Sequence, residues 1–371
     1  MSRKNTFTSA AVLFLTFLLC IGCDPQLTSG LREQDVSREI FVINSLAQTI
    51  SYYDIDRQQL YNRSADGMPF TVGTAPNQLI YDDTRDYLYC VNSLSNSISI
   101  FDQGTLEMLD EFYLGPSINP WSMTLNDDDS TYAYVSAYVG DTIEIIDLDT
   151  LETVESVSIP SDASNPEQIE YHEGHVYLSY VNYDDGDFLE GGILVYTAEG
   201  GSLSLLQQLK VHEQANPQSF FIDENNSQLH LICTGVNESE ADDGTVEIFS
   251  MKDDGSVEYT DTLEIGGSPT FFPYAIDYDD SIIYLANTGG YLTSYSLQNG
   301  EREPAVVHDS SSPLFEDADE SLFAGVAIYD DKIMISAFSS DELLIIDEEG
   351  ELLNEISSGD GPHYLLVQED D

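Results

Sequence analysis

The stretch from Gly73 to Asp102, GTAPNQLIYDDTRDYLYCVNSLSNSISIFD, decides how the whole chain is read. Pro76 is followed three residues later by Leu79, and after a polar turn comes Leu88-Tyr89-Cys90-Val91-Asn92, a short run rich in strand-forming side chains. A second turn leads into Ser97-Ile98-Ser99-Ile100-Phe101-Asp102, whose alternation marks a strand with one face buried. Proline fits the first residue of a strand, where no ladder donor is required. Three antiparallel strands in succession follow from this reading.

The unit recurs along the chain. Copies of the apolar strand are Ile40 to Asn44, Ala133 to Ala137, Val176 to Tyr180, Leu229 to Cys233, Ile283 to Asn287 and Ile333 to Ala337, and each is followed in register by an alternating partner such as Thr142-Ile143-Glu144-Ile145-Ile146-Asp147. Their second residues, Phe41 through Met334, are spaced 48, 45, 43, 53, 54 and 50 apart. The opening strand has its own mark, a proline with a core residue three positions on: Pro76/Leu79, Pro120/Met123, Pro166/Ile169, Pro217/Phe220, Pro273/Ile276 and Pro362/Leu365, with Phe323/Val326 as the proline-free copy. Seven copies at this period predict an all-β fold, a seven-bladed β-propeller of four-stranded antiparallel blades. The body opens on the second strand of a blade and ends on an isolated first strand, His363 to Val367. The C-terminal strand is therefore expected to join the N-terminal blade and close the ring, leaving no exposed sheet edge.

These copies resemble the YVTN-type propeller repeat, which runs from a Gly-x-x-Pro opening through a Leu-Tyr-Val-Ala-Asn-like strand to a Val-Ile-Asp-like strand. Gly73 to Asp102 and Ile283 to Asn287 match it best, and the resemblance covers nearly the whole mature chain. It implies the radial array of blades found in lactonase-like propellers, subunits associated with quinoproteins, and many binding proteins. It therefore implies a fold more than a function.

Ahead of the repeats, Arg3-Lys4 precede an apolar run from Phe7 to Ile21, too short to span a bilayer and followed by Gly22-Cys23-Asp24-Pro25. Residues 1–22 read as a cleaved secretory signal. The cut resembles a bacterial lipobox, with Cys20 departing from the leucine usual at its position. Cys23 is expected to carry lipid and to hold the protein to the cell envelope, on the periplasmic side or at the cell surface; an unlipidated secretory signal is the alternative. Residues 23–38 then form the lipidated N-terminus and a polar tether, and 39–371 the propeller. Cys90 and Cys233, the cysteines of the folded body, fall on the second and fifth blades. These are not neighbours in a ring of seven, so two buried free thiols are expected.

The chain carries 11 basic against 68 acidic residues, a net charge of −57. Nucleic acid is excluded as a partner, since phosphate contacts need clustered Lys and Arg. Such a surface suits a saline habitat, where ions screen the repulsion.

For a site, the residue after each repeat proline is the one expected to line the channel mouth. Those residues are Asn77, Trp121, Glu167, Gln218, Tyr274 and His363, with Ala324 in the proline-free copy. Amides, aromatics, one carboxylate and one imidazole suit a small-ligand or sugar site, although ordinary loop residues would read the same way. No catalytic set emerges, and no metal site with regular ligand spacing. Calcium held by carbonyls of Asn119, Asn165 and Asn216 is the one cofactor left open, against the simpler reading of Asn-Pro as turn chemistry. Acidic clusters such as Asp82-Asp83, Asp127-Asp128-Asp129, Asp184-Asp185-Gly186-Asp187 and Asp279-Asp280 fall where hairpins must turn. The expectation is a monomeric, membrane-anchored module that binds a protein, glycan or small ligand. A lactonase-like hydrolase, or a supporting subunit of a redox enzyme, is the alternative.

Overall fold

Seven antiparallel sheets succeed one another around a ring in the computed structural model, which describes residues 38–64, 67–126, 131–184, 187–213, 215–235, 243–265, 269–277, 281–288, 290–297, 305–308, 322–348 and 350–369. The signal, Cys23, most of the tether, and the clusters at 127–129 and 279–280 lie outside the described residues. Blade 2 shows the plan: Pro76–Asp82, Tyr87–Asn92, Ser97–Asp102 and Met108–Tyr113, paired in chain order. Blades 3 to 7 repeat it from inner strands Pro120–Leu125, Pro166–His172, Pro217–Asp223, Pro269–Asp277 and Phe323–Tyr329. In blade 1 the inner strand is the C-terminal Pro362–Glu369, which pairs with Arg38–Asn44, and two short segments, Gln59–Tyr61 and Phe70–Thr71, share the outer place. The chain thus closes the ring as the repeat phase requires.

Burial follows the alternation. The second and third strands are buried almost throughout, whereas the outer strands Met108–Tyr113 and Leu352–Ser357 are largely exposed. Neighbouring sheets pack face to face: Tyr89, Val91 and Ile100 of blade 2 meet Met123, Ala133, Val135 and Ile146 of blade 3. Each of the Val, Ile and Met side chains contributes about 1.5–3 kcal/mol through removal from water. Every blade interface thereby builds its own core, with no single central one.

The inner strands begin on one face of the ring, here the upper, where the second strands end. Turn chemistry on this face repeats. The residue before the proline has a left-handed backbone in Ala75 (φ 54°), Asn119 (φ 50°), Asn165 (φ 56°), Asn216 (φ 52°) and Gly361 (φ 67°), a region where asparagine and glycine are favoured. Its N–H is gripped from the neighbouring turn: Asn119 N donates to Asn96 Oδ1 (2.8 Å), Asn165 N to Asp141 Oδ1 (2.8 Å) and Gly361 N to Asp341 Oδ1 (2.9 Å). The glycine three residues before the proline is needed for close approach. A Cβ on Gly73 would lie 2.7 Å from Asn92 Cγ, and one on Gly359 would lie 2.6 Å from Asn44 Cγ. Glycine, proline and strand-end asparagine of the repeat are thus one packed unit.

On the lower face, acidic residues cap the hairpins. Asp82 Oδ1 accepts from Thr84 N and Arg85 N at 3.1 Å, Asp102 Oδ1 from Thr105 N at 2.8 Å, and Asp147 Oδ1 from Thr150 N at 2.9 Å. The described acidic clusters serve turns here.

Candidate functional site: the upper mouth of the ring

Each inner strand opens with a bulge. Its proline pairs with the last residue of the second strand, Pro76 with Asn92 and Pro166 with Tyr180, and the register then shifts. The residue after the proline is thereby lifted out of the ladder at the mouth. Asn77, Trp121, Glu167, Gln218, Ala324 and His363 all hold this position.

Blade 6 departs from the sequence reading. Pro269, not Pro273, pairs with Asn287, and Tyr274 pairs with Leu285, in the register held elsewhere by Leu79 and Met123. The bulge is two residues longer, Thr270 takes the mouth position, and Tyr274 moves below it. The signal was present in Gly266-Gly267-Ser268-Pro269, which repeats the Gly-x-x-Pro spacing of Gly73 and Pro76.

The mouth residues differ in what they do. Asn77 Nδ2 donates to Ser93 Oγ, which donates to Pro120 O of the next blade (2.6 Å). Gln218 Nε2 donates to Asn216 Oδ1 at 3.3 Å. Both amides are committed to structure. Trp121 is half-buried and lies against Tyr138, with ring centroids 5.3 Å apart and planes inclined by 33°. Glu167 is 2% exposed, and its Oε2 has no hydrogen-bond partner among the described residues. Burial pushes its carboxyl well above the usual range, and the Tyr138 hydroxyl is pushed up by burial first and then by Glu167. His363, edge-on to Phe338 at 6.4 Å, has a buried Nδ1 without a partner, and burial pushes it down to about 4.

Beneath the mouth, side chains of the inner strands of blades 2 to 4 satisfy N–H groups of the next blade. Gln78 Oε1 accepts from Met123 N (2.7 Å), Ser122 Oγ from Ile169 N (3.4 Å), and Gln168 Oε1 from Phe220 N (3.0 Å). At the longer bulge of blade 6 the series stops, and the buried hydroxyl of Ser219 is left without a partner. Serines on second strands add a parallel series. Ser136 Oγ donates to Glu167 O, Ser179 Oγ to Gln218 O (3.2 Å) and Ser336 Oγ to His363 O (3.0 Å), while each accepts an N–H from its own blade. Gln168 Nε2 also reaches Tyr274 of blade 6 (3.3 Å), two blades away, so side chains cross the channel below the mouth.

Tyr183–Asp184 and Asp187–Phe188 form an added hairpin in the upper-face loop of blade 4, where the rings of Tyr183 and Phe188 lie 5.1 Å apart. The described upper-face turns of blades 1 to 4 also expose Leu46, Leu94, Val139 and Leu189.

Basic side chains are absent from the described mouth. Arg38, Arg57, Arg85, Lys210 and Lys252 pair with carboxylates elsewhere, as in Arg57 with Asp54 (2.6 Å) and Arg85 with Asp149 (2.6 Å). His230 is a core residue stacked on Phe221 at 4.5 Å. Cys90 and Cys233 are buried free thiols, as their separate blades predict. The amide groups of Asn165 and Asn216 are engaged in turns, the latter donating to Thr234 Oγ1 at 2.7 Å.

No family model matches the sequence, and no curated protein does. Solved structures do resemble it. A candidate 6-phosphogluconolactonase from Bacteroides fragilis is 13% identical, with a TM-score of 0.66 over 93% of this chain and 99% of the other. The periplasmic gluconolactonase of Pseudomonas aeruginosa is 14% identical, with a TM-score of 0.64 over 89% and 99%. A quinoprotein alcohol dehydrogenase-like protein from Bacteroides thetaiotaomicron is 17% identical, with a TM-score of 0.60 over 90% and 78%. At these identities the likeness is one of architecture, and in architecture the chain is a seven-bladed β-propeller.

Proposed function

We propose that this protein is an exported, lipid-anchored propeller that acts as a binding module, taking its ligand at the upper mouth beside blades 3 and 4. The observation that carries this is the half-buried Trp121–Tyr138 pair beside Glu167, where two neighbouring aromatic rings adjoin a buried carboxyl oxygen without a partner among the described residues. The exposed aliphatic turns of blades 1 to 4 add apolar surface on the same face for a larger partner.

The hydrolase reading draws support from the structural neighbours and from two mouth groups, Glu167 and His363, held away from their usual titration range. Those groups stand on blades 4 and 1, three blades apart in a ring of seven, so they do not flank one bond. A phosphorylated substrate would also find no described cation at the mouth.

Trp121 is the sole tryptophan. Its fluorescence, titrated with sugars, lactones and amines, should shift saturably with at least one class. Hydrolysis of gluconolactone or 6-phosphogluconolactone that is lost in Glu167→Gln would replace the binding reading with the hydrolase one. Mass spectrometry of the mature N-terminus tests the anchor, and an unmodified Cys23 would remove it.

A further inference from the structure

Three features converge between blades 3 and 4. The Trp121 and Tyr138 rings, 5.3 Å apart and inclined by 33°, are both partly exposed on upper-face residues of blade 3. Glu167, from the next blade, lies close enough for its charge to act on the Tyr138 hydroxyl, and Asp141 and Tyr183 act on the same hydroxyl. Glu167 has one buried oxygen without a partner and makes no ion pair with any described Lys, Arg or His.

Aromatic faces attract cations through the ring quadrupole, and do so more strongly where water is partly excluded. Burial disfavours the ionised form of Glu167, and a cation bound beside it would restore that form and gain it as a counter-charge. The net charge of −57 raises the local concentration of cations and repels anions. A neutral sugar would use the rings but leave the carboxylate uncompensated. An inorganic cation would answer the carboxylate but gain little from the rings.

Resting on the binding reading above, we propose that this mouth selects a small soluble organic cation, an ammonium group held against Trp121 and Tyr138 with Glu167 as its counter-charge. The hairpin carrying Tyr183 and Phe188 supplies a further aromatic wall to the same quarter of the upper face.

The test uses the mature full-length protein at constant ionic strength, with Trp121 fluorescence as readout. Choline is compared with its uncharged isostere 3,3-dimethylbutan-1-ol, with sodium and calcium chloride, and with phosphatidylcholine vesicles. The expected result is a saturable shift with choline at least tenfold tighter than with the isostere, and no matching shift with the salts or vesicles. Glu167→Gln and Tyr138→Leu should each weaken choline about tenfold, whereas Tyr259→Leu, on an exposed outer strand, should not. Melting curves confirm that the variants fold, and Tyr138→Phe, which keeps the ring, should retain most of the affinity. Equal binding of choline and isostere, or binding only of sugars or lactones, overturns the cation assignment and leaves the binding reading standing. A shift only with vesicles or with inorganic salt overturns it as well. Indifference of Trp121 to every ligand removes both.

Discussion

Acid should loosen the ring at its closure, and His363 makes the effect measurable. Its strand, Pro362–Glu369, supplies the inner strand of the first blade, its carbonyl accepts from Ser336 Oγ of blade 7 at 3.0 Å, and its ring sits against Phe338 with a partnerless buried Nδ1. Burial lowers the imidazole from an ordinary 6.5 to about 4. Between those values the unfolded chain binds the proton and the folded one does not, so stability falls as pH falls through that window. The drop from 6.5 to about 4 amounts to about 3 kcal/mol. About 2 kcal/mol should be lost by pH 5, and nearly all of it by pH 4. Acid also neutralises carboxylates in a chain of net charge −57, which relieves repulsion and acts the other way. The comparison must therefore be wild type against His363→Gln, by urea unfolding at fixed molar salt. The wild type should lose about 3 kcal/mol relative to the variant between pH 7 and pH 4. A difference that stays flat across that range would show that the imidazole is not desolvated and would refute the reasoning.

Glu167→Gln should raise stability at neutral pH, because a carboxyl whose folded pKa is raised loses stability as pH rises above its unfolded value of 4.5; melting temperatures of wild type and variant should converge below that pH. Ser336→Ala strands the Gly325 N–H and the His363 carbonyl together and should cost about 1–3 kcal/mol in urea unfolding, and a loss near zero would mean that water replaces the hydroxyl freely. With the proposed leader removed, nine basic residues would stand against 68 acidic ones, so melting temperature should climb with sodium chloride through the molar range as the Debye length shrinks from about 10 Å at 0.1 M to about 3 Å at 1 M. If low-millimolar calcium substitutes for molar salt and a chelator reverses it, specific divalent sites do the work instead. Cys90 and Cys233 should resist a thiol reagent until the protein unfolds, since burial raises both thiols above their usual range.

The seven-fold plan was legible because strand alternation and proline spacing report local backbone requirements that every blade must meet. Ring closure followed from the phase of the repeat alone. Blade 6 was misread because Pro273-Tyr274 copies the local pattern, and only pairing with Asn287 reveals that Pro269 opens the strand. The partners of the mouth residues were illegible for a related reason. Glu167 acts on the Tyr138 hydroxyl across a blade boundary, and nothing in the spacing between them records that proximity. The cross-blade series through Gln78, Ser122 and Gln168 was likewise hidden, since it links equivalent positions a whole repeat apart. The asparagines before the prolines had been open to calcium, and their left-handed backbones supply a conformational reason for their presence.

Arg38 pairs with Glu369, so the tether joins the body on the lower face, beside the end of the last strand. With Cys23 lipidated, the fifteen steps of chain from Cys23 to Arg38 give a leash of about 50 Å at full stretch. Inner strands such as Pro76–Asp82 run seven residues from upper to lower face, about 20 Å of rise. On the proposed anchoring, the leash leaves the body from the side opposite the mouth. On that reading a ligand would reach Trp121 from the aqueous compartment without passing the bilayer, and a partner of the upper face could sit on a different surface altogether, held at arm's length by the propeller's own height.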